Sequence, residues 1–184
     1  MKVLRTALPG VLLLEPHVHD DARGFLMESY NRRGFEQATG CEVSFVQDNH
    51  SRSAPWVLRG LHYQLPPHAQ GKLVRVVVGA VFDVAVDMRR SSPTFGQWCA
   101  TELSAANRRQ VWIPPGFAHG FLALHEGAEV LYKVTGYHHA PAARSIRWDD
   151  PQLAITWPLA GAAPVLSAKD AQAPLLAQAE LPGD

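Results

Sequence analysis

Residues 112–124 read WIPPGFAHGFLAL: a short apolar strand, a turn built on two prolines and a glycine, and a second apolar strand. Similar runs of β-branched and aromatic residues, bounded by Gly, Pro and Asn, recur about every ten residues on both sides. This spacing indicates an all-β sandwich or barrel. The predicted strands are Val11–Leu14, Phe25–Tyr30, Val43–His50, Val57–Gln64, Leu73–Val78, Val81–Met88, Gln97–Leu103, Val111–Ile113, Gly120–Leu124 and Val130–Tyr137.

Helix is scarce in this pattern. Asn31–Ala38 is predicted to form one short helix, which begins after an Asn cap and ends before Gly40. The chain of 184 residues is 47% hydrophobic, which suits one core and is short for two. We therefore expect one domain over residues 1–184, with a barrel from about 43 to 140, N-terminal strands before it and a C-terminal segment that wraps its surface.

Charge and cysteine content limit the possible partners. Lys plus Arg equals Asp plus Glu at 17 each, so we expect neither a nucleic-acid partner nor attraction to an acidic membrane. The apolar run Val11–Leu14 is too short for a signal-peptide core or a membrane span. Cys41 and Cys99 are too few for a disulfide framework and are expected to be reduced thiols of a cytoplasmic protein.

Gly79-Ala80 suits a two-residue hairpin turn between Leu73–Val78 and Val81–Met88. Strand alternation then places Lys72 and Asp83 on one face, together with Val74, Val76, Val81 and Ala85. Because both faces are largely apolar, the hairpin should be covered on both sides. Lys72 and Asp83 would then lie beside a low-dielectric interior, where an ammonium group indicates a functional role.

The segment between Phe45 and Gln64 carries an unusual number of polar residues for two strands. Gln47 and Asn49 share one face of the first strand, and His62 lies on the second. Strict alternation separates Arg59 from His62 unless Gly60 marks a β-bulge, so a pocket that uses both requires that bulge. Several costly buried polar groups are better explained by a ligand cavity than by structure alone.

Pro114-x-Gly116-x-x-His119 resembles the second motif of the cupin superfamily, which implies a jelly-roll β-barrel. Metal-binding cupins supply further ligands from a His-x-His-x-x-x-Glu run, whereas His62 is followed by Tyr63 and Gln64. The other His-x-His, at His17 and His19, has no correctly spaced carboxylate. We therefore expect no metal and no cofactor.

A set of longer motifs, in order along the chain, resembles the dTDP-4-dehydrorhamnose 3,5-epimerase family of bacterial deoxysugar synthesis. These motifs are Asp20–Phe25, Gln47–Ser51, Leu58–Gln64, Gln70–Val74, Val81–Asp87, Ile113–Gly120 and Leu131–Lys133. The resemblance implies a homodimer acting on a dTDP-4-keto-6-deoxyhexose. It implies that His62 is the base, paired with Asp170, that Tyr132 is the acid, and that Lys72 steadies an enolate oxygen. It implies substrate contacts from Arg23, Glu28, Gln47, Asn49, Arg59, His119 and Lys169.

Two positions depart from the family pattern. His138 stands where relatives place a Tyr or Trp that stacks near the thymine, and Ala143 replaces the acidic residue before Arg144. His138 can still stack, over a smaller area.

Three alternatives share the same motifs in part: an epimerase acting at one carbon, a metal-dependent cupin using His62, His119 and a carboxylate, and a non-catalytic sugar-nucleotide barrel.

Overall fold

Antiparallel strands dominate the computed structural model, which describes residues 1–183. The two helices, α1 (Arg32–Thr39) and α2 (Ala168–Ala171), are short, and two single 3₁₀ turns cover Ala140–Ala142 and Leu176–Gln178. The predicted all-β class with a few short helices is confirmed. The strands are β1 (Lys2–Arg5), β2 (Leu12–Glu15), β3 (Val18–Asp21), β4 (Gly24–Met27), β5 (Gln47–Ser53), β6 (Leu58–Gln64), β7 (Lys72–Asp87), β8 (Trp98–Ser104), β9 (Gln110–Ile113), β10 (Phe117–Val134) and β11 (Ala143–Ser145).

Two long strands, β7 and β10, organise the main sheet and pair with each other antiparallel. The sheet order is β1-β2-β9-β7-β10-β6-β11, with β5 added to the second half of β10 and β8 to the second half of β7. Each long strand thus exchanges one neighbour for another midway along its length, as expected where a sheet folds over on itself. The hairpin β3-β4 forms a separate two-stranded sheet.

The predicted turn at Gly79-Ala80 is wrong, because β7 runs through it as one strand of 16 residues. Gly79 has a φ of 69°, and a Cβ there would lie 2.0 Å from the carbonyl oxygen of Gly127 on β10. The glycine therefore permits a close crossing of two bent strands where the sequence suggested a reversal. The strands predicted at Gly120–Leu124 and Val130–Tyr137 are likewise joined in β10, with a register irregularity between Ala123 and Ala128.

The predicted grouping of side chains survives this error. Val74, Val76, Val81 and Ala85 all belong to one interior apolar cluster, together with Phe117, Phe121 and Val130 of β10. A register shift between Glu129 and Val130 of β10 inserts an extra residue on the β7 side, which preserves the face across Gly79. The irregular strand therefore places the same side chains on the interior face as the predicted turn would have done.

Two apolar layers cover the outside of the barrel. Phe35 of α1 packs with Trp112, Leu73 and Leu14 over one side. The C-terminal segment covers the other side, where Leu153, Ile155, Trp157 and Leu176 pack on residues of β6, β7 and β10. Asp150, 2% exposed, fixes this segment by accepting the backbone N–H groups of Gln152, Leu153 and Leu176. The C-terminal segment therefore packs along the outside of the barrel.

Local signals at two further positions are confirmed. Asn31 caps α1 by accepting the N–H of Gly34, and Gly40 ends the helix with a φ of 70°. In β6, the pairing with β10 shifts by one residue between His62 and Arg59, which is the bulge predicted at Gly60. None of the helices within residues 1–183 has the length and apolar character needed to cross a membrane.

Candidate active site

A cavity of about 430 Å³ opens between β5, β6, β7, β10 and the C-terminal segment. The polar residues of its wall lie on strand faces that are apolar deeper in the barrel. Lys72 lies on the same face of β7 as Val74, and Tyr132 lies on the same face of β10 as Val130. Sequence-predicted site residues on this wall are Arg59, His62, Lys72, His119, Tyr132, Lys169 and Asp170. Residues 59 and 62 share the cavity because of the β-bulge at Gly60.

His62 and Asp170 form a direct pair, with 2.6 Å between Nε2 of the imidazole and Oδ1 of the carboxylate. Asp170 reaches His62 because Ser167 caps α2 and accepts the Asp170 N–H, while the Asp170 side chain is 4% exposed. Burial alone would raise the pKa of Asp170, but the hydrogen bond and charge of His62 and the cap at Ser167 hold it below its usual value. With Nε2–H donated to the carboxylate, the lone pair able to accept a proton is on Nδ1.

Lys72 presents its ammonium group to the same cavity, and its Nζ lies 3.4 Å from the backbone carbonyl of His62. Burial lowers the pKa of Lys72 to about 8, although the nearby carboxylate of Asp83 acts in the opposite direction. The group therefore remains mostly protonated near pH 7. A partly buried cation with few direct partners can stabilise negative charge that develops on a bound ligand.

Tyr132 is half-buried against the interior cluster and lines the cavity with its ring. Burial raises the pKa of its phenol, while the positive charge of Arg59 acts to lower it. The guanidinium of Arg59 is held by Ser53 Oγ at 3.0 Å and by the carbonyl of Arg52. Tyr132 therefore keeps its proton at neutral pH, beside a cation that favours the phenolate once the proton has left.

Asp83 and His119 form a second His–carboxylate pair, in which His119 lines the cavity and Asp83 lies behind it. Nε2 of His119 lies 2.8 Å from Oδ2 of Asp83, and both side chains are buried. Burial lowers the pKa of His119 more than the carboxylate raises it, so the imidazole is neutral. Asp83 was recognised from the sequence only as a polar residue of a buried strand, which is the signal that could have placed it in the site.

A second cavity, of about 260 Å³, adjoins the first and shares His62, Lys72, Tyr132 and Lys169 with it. The predicted substrate contacts Gln47, Asn49 and His138 line this second cavity, as does Arg144. Gln47 donates to Asn49 at 2.8 Å, which joins the two β5 amides. The four shared residues thus stand between two spaces, an arrangement that suits a ligand with two parts.

Arg23 and Glu28 are not brought to these cavities within one chain. Arg23 lies at the exposed turn of β3-β4 and pairs with Asp21 at 2.6 Å, and Glu28 lines a separate groove beside α1.

Several wall residues of the main cavity were not predicted from the sequence. These are Ser51, Val57, Leu58, Phe121, Val165, Leu166 and Ser167.

The arrangement combines an imidazole whose orientation is fixed, a protonated phenol and an ammonium group around one space. Together these groups can remove a proton beside a carbonyl, stabilise the resulting enolate and return a proton from another side. Within residues 1–183, His, Cys, Asp and Glu side chains form no group of three or more placed to hold a metal ion. His62 and His119 instead bond to two different carboxylates.

Comparisons with known proteins agree with this chemistry. The family model described as dTDP-4-dehydrorhamnose 3,5-epimerase matches residues 5–178. The enzyme of that name from Pseudomonas aeruginosa is 61% identical over 180 residues, covering 98% of each chain, and that from Salmonella typhimurium is 59% identical over 181 residues, again 98% of each. The crystal structure of dTDP-6-deoxy-D-glucose-3,5-epimerase from Legionella pneumophila in complex with dTDP-4-keto-L-rhamnose superposes with a TM-score of 0.95 at 49% identity, covering 100% of this chain and 98% of that one.

Proposed function

This chain belongs to the dTDP-4-dehydrorhamnose 3,5-epimerase family, and on that premise we propose how its residues perform the reaction. The protein is an isomerase with the predicted cupin-like jelly-roll fold. It epimerises dTDP-4-dehydro-6-deoxy-D-glucose at C3 and C5 to dTDP-4-dehydro-L-rhamnose. The observation that carries the assignment of roles is the His62–Asp170 pair at 2.6 Å in a cavity that also holds Lys72 and Tyr132.

In the first step, Nδ1 of His62 removes the proton from C3 or C5, both of which are α to the C4 ketone. The C–H electron pair forms the C=C bond of an enolate, and negative charge moves to the C4 oxygen. Lys72 stabilises that charge, and Asp170 stabilises the imidazolium that forms. Both counter-charges are in place before the reaction, so little reorganisation is needed.

In the second step, the phenol of Tyr132 donates its proton to the same carbon on the opposite face of the ring. Arg59 favours the phenolate that results, as its effect on the pKa of Tyr132 indicates. Exchange with solvent then returns a proton to Tyr132 and removes one from His62. Because only protons are exchanged and no electrons are gained or lost, the reaction itself calls for no redox cofactor.

The remaining predicted residues are proposed to hold the nucleotide and sugar. We assign the sugar to the space around His62, Lys72 and His119, and the nucleotide to the adjoining cavity. There Gln47, Asn49 and Lys169 offer amide and ammonium donors, and His138 offers a ring for stacking. His138 is exposed, which suits stacking with a nucleobase.

We further propose that the enzyme is a cytoplasmic homodimer. Arg23 and Glu28 lie outside the cavity of their own chain, so a role in substrate binding requires that they reach the site of a second copy. The hairpin β3-β4 that carries Arg23 exposes Phe25 by 56% and Leu26 by 73%, which suits an interface. Cys41 and Cys99 are both free thiols, in keeping with a reducing compartment.

Incubation with dTDP-4-dehydro-6-deoxy-D-glucose in heavy water tests the proposal. We expect NMR to show deuterium at both C3 and C5, since each carbon receives a solvent-derived proton. Label at C3 or C5 alone would identify an epimerase of one carbon, and binding without exchange would identify a non-catalytic barrel.

Replacement of His62 by Ala should lower the rate at least about 100-fold. His50→Ala, at an exposed histidine paired with Glu129 outside the cavities, is the matched control and should exchange normally.

A further inference from the structure

We propose that Asp83 is a positioning residue of the enolising site, which fixes the tautomer of His119 and supplies the negative charge that faces Lys72. The inference rests on the proposed function, because it takes Lys72 to act at the enolate oxygen. Asp83 would then act through two neighbours without touching the substrate itself.

The location of Asp83 requires such a role. Its side chain is 1% exposed and lies between Val81 and Ala85 in the row of β7 that otherwise forms the apolar interior. Opposite it on β10 stands Phe121, a member of the same cluster. A carboxylate in such surroundings destabilises the fold unless its charge and lone pairs are satisfied. The buried charge of Asp83 therefore lowers the stability of the fold unless neighbouring groups offset it. Its two polar neighbours, His119 and Lys72, both line the cavity.

The first neighbour is His119, whose Nε2 lies 2.8 Å from Oδ2 of Asp83. A carboxylate can only accept here, so Nε2 carries the hydrogen and Nδ1 carries the lone pair. Burial keeps the ring neutral by lowering its pKa, and the charge of Lys72 acts in the same direction, against the effect of Asp83. His119 therefore offers the cavity a hydrogen-bond acceptor, which suits a sugar hydroxyl and not a phosphate or an enolate oxygen.

The second neighbour is Lys72, where the charge of Asp83 opposes the effect of burial on the pKa of the ammonium. The other charged or titratable groups on the same cavity wall are His62 and Arg59 from β6, His119 and Tyr132 from β10, and Lys169 and Asp170 from α2. The one carboxylate in this set, Asp170, is bonded to His62. Asp83 is thus the acid whose charge chiefly offsets the ammonium.

Asp83→Asn separates these two effects, because the amide oxygen can still accept the His119 N–H while the negative charge is removed. We expect the alkaline limb of the kcat/KM profile to move to lower pH by about one unit, as the ammonium of Lys72 is lost earlier. At pH 8 this shift amounts to roughly a fivefold loss, mainly in kcat, because the enolate charge exists only after binding. Glu102→Gln, an exposed acid on the neighbouring strand β8, is the control and should leave the profile unchanged.

A uniform loss of rate with an unshifted alkaline limb would overturn the proposal, since a merely structural role lowers activity at every pH. If the Asn variant does not fold, the tautomer is read in the wild-type protein by two-bond ¹H–¹⁵N correlation of labelled histidines. His119 should then be neutral and protonated on Nε2, whereas an Nδ1–H tautomer or a charged ring refutes the inference. Both tests presuppose that the wild-type enzyme exchanges deuterium into the sugar. If it does not, the proposed function is refuted. If it does and the pH profile of Asp83→Asn is unshifted, only the role of Asp83 is refuted.

Discussion

Asp170→Asn is the perturbation that tests most directly how the base is held. The carboxylate lies 2.6 Å from His62 and is 4% exposed, so water does not readily replace it. The amide has nearly the same shape and can still bond to a neutral imidazole, but it lacks the charge that stabilises the imidazolium. A hydrogen bond between charged groups contributes about 1.5–3 kcal/mol, and at 1.4 kcal/mol per factor of ten its loss lowers the rate roughly 10- to 150-fold.

The assay is the initial rate of deuterium incorporation at C3 and C5, with kcat and KM measured separately. The loss should fall on kcat, because the imidazolium exists only once a proton has been taken. Asp149→Asn removes a carboxylate from the same C-terminal segment, where it forms an exposed pair with Arg147, and should remain within about twofold of wild type. Activity of Asp170→Asn within about threefold of wild type, with the protein folded, would falsify the pairing as a catalytic device.

Two further predictions concern pH and folding. In the wild-type enzyme, kcat/KM should fall as pH rises through about 8, because Lys72 loses the proton that stabilises the enolate; a profile that stays flat to pH 10 would remove Lys72 from that role. Gly60→Ala should lower the free energy of unfolding by about 2–6 kcal/mol in urea denaturation, because the added Cβ lies 2.5 Å from the Cα of Gly120 and the backbone has a φ of 140°. Gly161→Ala meets no atom within 4 Å and bears only the strain of its φ of 86°, so an equal loss in both variants would contradict the steric argument.

Local patterns in the sequence were sufficient for much of the scaffold. Alternation placed Lys72 and Asp83 on the interior face, and the Asn31 cap and Gly40 bounded α1. The β-bulge at Gly60 was predictable because a pocket containing both Arg59 and His62 requires it. Each of these signals depends on neighbours along the chain, where steric rules and hydrogen-bonding capacity act directly.

Signals that depend on distant segments were not predictable from pattern alone. Gly79 looks like a turn residue locally, and only its approach to Gly127 shows that the chain continues. Asp170 was assigned by family resemblance, because nothing local indicates contact with a histidine 108 residues earlier. Arg23 and Glu28 were assigned in the same way, and their positions outside the cavity of their own chain could not be read from their motifs.

The distance along the chain between His62 and Asp170 has a consequence for synthesis. A ribosome releases the histidine, the lysine and the phenol well before it releases the carboxylate that orients the base. A nascent chain that has already exposed every strand of the barrel therefore lacks its complete acid–base set, and cannot turn over nucleotide sugar at full rate. The acid–base set of each chain is complete only when the late segment docks on the barrel through its aromatic and aliphatic side chains, which makes that docking a late step in the maturation of the enzyme.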